Sequence, residues 1–146
     1  MKKHNIYLSI AENVSKLSKC EKISVGCIIV KDGRIITTGV NGTPKGYTNC
    51  CDIFDKKERP DELKNKHSEW SSNHEIHAEM NAILFATRNG IHIPEDSVLY
   101  CTHEPCNNCL KHIAALGIKE VYFINKYHNN INENMLDIKI TQMKNE

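Results

Sequence analysis

The stretch "SVLYCTHEPCNNCLKHIAALGIKEVYFI", residues 97–124, decides the fold. "SVLYCT" (97–102) and "KEVYFI" (119–124) are short runs rich in β-branched and aromatic residues, and both read as strands. Between them, "PCNNCLKHIAALG" (105–117) reads as a helix opened by Pro105 and closed by Gly117. Upstream, "HAEMNAILFATRNG" (77–90) turns apolar with a helical period and is closed by Gly90. Helices alternating with strands over the second half argue for a central sheet covered by helices. Working outward, "SVGCIIV" (24–30) and "RIITTGV" (34–40) flank "KDG", a turn signal, and predict an antiparallel hairpin. Residues 4–18 carry Ile6, Leu8, Ile10, Ala11, Val14 and Leu17 at a mostly helical spacing, with Tyr7 beside them. The span 41–75 holds Gly42, Pro44, Gly46, Pro60 and many charges, and reads as a long irregular loop of the functional or disordered kind. An Asn-rich loop at 129–134 precedes "LDIKITQM" (136–143), which reads as a last strand. No internal repeat is present.

A chain of 146 residues is expected to form one domain, 1–146, with one core. The net charge of +1 with mixed signs gives no broad electrostatic surface for nucleic acid or anionic membrane. No apolar run approaches the roughly 20 residues of a membrane span, and "MKKHNIYLSIAENVSKLS" is amphipathic rather than signal-like. The expectation is therefore a cytoplasmic protein. Seven cysteines (Cys20, Cys27, Cys50, Cys51, Cys101, Cys106, Cys109) would mean disulfides in a secreted chain. In a reduced compartment, cysteines near histidines more often mean metal.

Two clusters carry chemistry. Cys106 and Cys109 sit three apart at the start of a helix, where the helix N-terminus stabilises thiolates. Alone, such a pair also fits a redox dithiol, but no thioredoxin-like context surrounds it. His77 starts the other helix. Three ligands (His77, Cys106, Cys109) leave one position of a tetrahedral zinc free for water, the arrangement of a catalytic site. Glu79 alone reads as a helix-start carboxylate. Beside a three-ligand zinc it reads as the proton carrier for the metal-bound water. His-x-Glu followed by Pro-Cys-x-x-Cys is the pattern of zinc nucleobase deaminases, and the combination is far more specific than either half.

On these residues, together with "SVGCIIVKDGRIITTGVNGTPKG", "NCCD", "HSEWSSNHEIHAEMNAILFATRNG" and "LGIKEVYF", the chain resembles the deoxycytidylate (dCMP) deaminases, within the cytidine deaminase-like fold. The resemblance runs from about residue 5 to about residue 127, and "HSEWSS" makes the phage-type enzymes the nearest. It implies a three-layer α/β/α fold with a five-stranded mixed sheet and helices on both faces, assembled as a homo-oligomer, commonly a hexamer. The implied reaction is zinc-dependent hydrolysis of dCMP to dUMP and ammonia, the supply of the thymidylate precursor, in the host cytosol if the chain is of phage origin. Carried over residue by residue, Asn41, Ala78 and Tyr127 match positions that contact sugar and base. Gly42, Lys45 and Gly46 in "GVNGTPKG" suit a phosphate. That loop and Arg88 match positions tied to nucleotide control, by dCTP and dTTP with Mg2+.

The resemblance further implies a second, structural zinc on Cys20, Cys50, His67 and Glu75, with His74, Cys51 and Glu69 as neighbouring alternatives. Taken singly, these residues read as buried thiols and loop side chains. His103 and Glu104 depart from the commoner dCMP-enzyme residues, and "EPCNNC" is shared with guanine and tRNA deaminases. Deamination of cytidine, guanine or tRNA adenosine is thus the alternative chemistry. A noncatalytic zinc module and a competence-type accessory protein of the same fold are the alternatives from other classes.

Overall fold

A computed structural model describes residues 2–20, 23–49, 69–126 and 137–144. Helix α1 (Lys2–Ser15) leads into strands β1 (Gly26–Lys31) and β2 (Arg34–Val40). Helix α2 (Ala78–Arg88), strand β3 (Val98–His103), helix α3 (Asn107–Ala115), strand β4 (Glu120–Asn125) and strand β5 (Lys139–Gln142) follow. The strands form one five-stranded sheet in the order β2-β1-β3-β4-β5. β1 is antiparallel to β2 and β3, whereas β4 is parallel to β3 and β5. The expected mixed sheet is present.

Each element follows from local chemistry. Asp32 and Gly33 both have positive φ (50° and 74°), the backbone that a two-residue hairpin turn of the favoured hand requires. α2 and α3 stop where Gly90 and Gly117 take φ of 68° and 88°, a left-handed backbone that costs glycine little. Strand alternation then sorts side chains to opposite faces. Cys27, Ile29, Leu99, Cys101 and Val121 point to the face covered by α2 and α3, where they meet Ala82, Leu110 and Ile113. Ile28, Val30, Tyr100, Tyr122 and Ile124 point to the other face, against Leu8 and Ala11 of α1. This is the three-layer arrangement, with helices on both faces.

Two glycines let the layers close. A Cβ at Gly26 would collide with the backbone of Ala11 and Ser15, and one at Gly39 with that of Ala78 and Ala82. α1 and α2 therefore lie directly on the strand backbones, and α2 enters the site at a fixed depth.

One expectation is corrected. The span 41–75 is not irregular throughout its described part, because residues 69–74 are helical. Gly42 and Ile76 form an isolated antiparallel bridge, with Ile76 N–H donating to Gly42 O at 2.8 Å and Gly42 N–H to Ile76 O at 3.1 Å. The excursion leaves and re-enters the fold at one point. The Asn-rich stretch 129–134 lies outside the described residues. Among the described residues, no helix is long and apolar enough to cross a membrane.

Candidate active site

α2 and α3 both begin at residues whose side chains do not cap their own helix. His77 (φ −64°, ψ 152°) and Cys106 (φ −74°, ψ 164°) hold the extended N-cap backbone, and neither makes a side-chain capping bond. A Ser or Asp in such a position would normally spend its oxygen on the first-turn amides. Here the side chains are free to converge, and the two helix N-termini bring positive potential to one spot. Cys106 is thus the residue before α3 rather than part of its first turn. Cys109 lies one turn further along and is buried.

The ligand atoms of His77, Cys106 and Cys109 all lie within 4.8 Å of one another. His77 Nδ1 is 3.2 Å from Cys109 Sγ and 3.6 Å from Cys106 Sγ. A tetrahedral zinc with ordinary bond lengths holds nitrogen and sulfur about 3.6 Å apart. Cys106 and Cys109 are both free thiols. A hydrogen bond from Cys109 pushes the Cys106 thiol well down, burial opposes this, and His77 assists. Cys109, which shares that proton, is pushed up, and the bond with Cys106 pushes the His77 imidazole up. Nitrogen and sulfur atoms already competing for protons at this separation fit a zinc ion, which would displace those protons.

Glu79 is only 3 % exposed, in the first turn of α2. It lines one cavity together with His77, Ala78, Cys106, Asn41 and His103. A buried carboxylate requires a partner, and the Cys101 thiol donates to Glu79 Oε1 at 2.9 Å. The site thus stands where β3 ends and two helices begin, with a buried carboxylate beside the three metal-capable side chains.

The remaining expected residues fall in five groups. Asn41 and Ala78 line the cavity, yet the Asn41 amide is also a tie. Its Oδ1 accepts from Ser18 Oγ at 2.7 Å and Val25 N at 2.9 Å, and its Nδ2 donates to Ile23 O at 2.8 Å. Cys20 and Glu75 meet at the cavity edge, Cys20 Sγ donating to Glu75 Oε1 at 3.5 Å. Gly42, Lys45 and Gly46 line an adjoining recess with Lys19, and this recess shares Asn41 and Glu75 with the main cavity. Arg88 is exposed at the opposite end of α2, roughly 15 Å along the helix from Ala78 at the usual rise per residue. Cys50, His67 and Tyr127 lie outside the described residues.

Two residues that the sequence reading did not single out help to build the site. Asn81 Nδ2 donates to Val40 O at 2.6 Å and ties the end of β2 to α2. Its signal was an amide inside the apolar run "HAEMNAILF". Cys101 holds Glu79, and nothing in "LYCT" marks it apart from other strand residues.

These features together define a zinc-dependent deaminase fold. Residues 1–125 match the family described as the cytidine and deoxycytidylate deaminase zinc-binding region, and the chain belongs to that family. Among particular relatives, it is 42% identical to the deoxycytidylate deaminase of Enterobacteria phage T4, over 88% of this chain and 80% of the relative. The dCMP deaminase of cyanophage S-TIM5, solved in complex with dCMP and dUMP, superposes with a TM-score of 0.73 at 35% identity, covering 94% of each chain. The apo form of that enzyme superposes at 0.76 with 33% identity, over 97% of this chain and 98% of the other.

Proposed function

We propose that this chain hydrolyses dCMP to dUMP and ammonia, with zinc held by His77, Cys106 and Cys109 and with Glu79 as the proton carrier. The observation that carries this reading is the convergence of one nitrogen, two sulfurs and a buried carboxylate at one cavity. Its support is a likeness to dCMP deaminases over most of the chain. A zinc ion in this site would supply a water of near-neutral pKa as the nucleophile. Glu79 takes one proton from the attacking water and places it on N3 of the pyrimidine. As oxygen bonds to C4, the second proton passes through Glu79 to the departing amine. One water is consumed, and one ammonia leaves for each dUMP formed. Asn41, Ala78 and Tyr127 are read as substrate contacts, and the amides and Lys45 of the adjoining recess as phosphate partners. Ammonia release from dCMP, CMP, deoxycytidine, dCTP and guanine tests substrate choice. Selective use of dCMP is expected, and equal or greater activity on deoxycytidine or guanine would overturn it.

The finer parts of the reading are a second zinc, nucleotide control and assembly. The pairing of Cys20 with Glu75 across 55 positions of sequence supports a structural zinc on Cys20, Cys50, His67 and Glu75. The recess formed by Gly42, Lys45 and Gly46, which adjoins the cavity, supports control by dCTP and dTTP with Mg2+, with Arg88 as the other residue assigned to that control. dCMP saturation curves that do not respond to either nucleotide would remove that control. Leu84 and Phe85 are exposed on α2, which supports a homo-oligomer, read as a hexamer. A monomeric sedimentation profile would contradict it.

A further inference from the structure

Cys101 and its cross-strand neighbour Cys27 form a thiol pair that the proposed reaction does not use. The two stand opposite each other in the β1–β3 ladder, both wholly buried on the face covered by α2 and α3. Cys101 is neither a metal-site residue nor a surface thiol. Its Sγ lies 2.9 Å from Glu79 Oε1. Burial pushes the Cys101 thiol well up, so the group stays protonated and can only donate toward a carboxylate.

We propose that Cys101 is a positioning residue for Glu79, its S–H holding Oε1 so that the other carboxylate oxygen faces the cavity. This rests on the role given to Glu79 above. A glutamate has three rotatable side-chain bonds, and fixing it has an entropic cost that a hydrogen bond in the resting site offsets in advance of reaction. Glu79 must take a proton at one place and release it at another. An anchored oxygen defines a pivot for that movement. A weak, neutral donor suits the task, since a lysine or arginine at Cys101 would hold the carboxylate too strongly to let it accept protons. β3 also leads directly to Cys106, so one strand sets both the ligand and the carboxylate.

Cys101→Val keeps the apolar bulk and removes the donor, whereas Cys101→Ser keeps a donor. In zinc-loaded protein, Cys101→Val is expected to lower kcat about tenfold while KM on dCMP stays within about twofold, the loss of one hydrogen bond to a charged group. Cys101→Ser should regain most of that loss, and zinc content should not change in either. Unchanged kcat in Cys101→Val, or an equal loss in Cys101→Ser, would overturn the proposal. If Cys101→Val does not fold, Cys101→Ala takes its place in the same comparison. A second measurement needs no substrate. The infrared S–H stretch that is absent from Cys101→Val should move to higher wavenumber in Glu79→Ala, and a band that does not move would overturn the contact. Failure of dCMP turnover with the band shift intact would instead indict the substrate reading.

Discussion

At the scale of the residue, Glu79 is the side chain on which the proposed chemistry turns. It is buried, placed within two positions of His77, and held at one oxygen by Cys101. Glu79→Gln keeps its size and removes its ability to carry a proton. A fall in kcat of roughly 100- to 10,000-fold is expected, the range of general acid–base catalysis, with zinc content unchanged by metal analysis. Wild-type turnover in Glu79→Gln would mean that another group moves the protons. His77, Glu79, Cys106 and Cys109 were legible in the sequence because their spacing is set by two helix starts. Asn81 and Cys101 were not, because each acts on a partner brought from far along the chain, across 41 positions for Asn81–Val40 and 22 for Cys101–Glu79. Residue type alone does not carry such a pairing.

At the scale of the element, the site depends on how deeply α2 sits on β2. Gly39 lies beneath the first turns of that helix, against Ala78 and Ala82. Gly39→Ala must push α2 away from the sheet, and with it the first-turn Glu79 and the N-cap His77. A stability loss of about 1–3 kcal/mol is expected from this overpacking, read from urea midpoints, together with reduced turnover. A variant with unchanged midpoint and turnover would show that α2 has slack. The β1–β2 hairpin was legible because Asp-Gly at its tip supplies both positive-φ residues. The helical segment 69–74 was hidden, since "EWSSNH" has no apolar period and many groups able to bond its own backbone. Which strand lies at the centre was hidden as well. β1 pairs with β3, some 70 positions later, and short-range pattern does not encode that choice.

At the scale of the whole molecule, α1 and the segment after it are joined to the approach of α2 by the contact between Cys20 and Glu75. A structural zinc there would connect three separate stretches of chain and supply folding free energy. Purified protein should then contain about two zincs per chain, falling to about one in a Cys20→Ala, Cys50→Ala double variant. One zinc per chain in fully active wild type would remove the second site. The catalytic zinc can be tested independently of that count. The most direct measurement is dCMP turnover by metal-stripped protein titrated with zinc, with dUMP and ammonia followed together. Turnover should return as the site of His77, Cys106 and Cys109 fills, with one ammonia for each dUMP. Full turnover without metal, or zinc-filled protein that leaves dCMP unchanged, would contradict zinc-dependent deamination of dCMP by this chain.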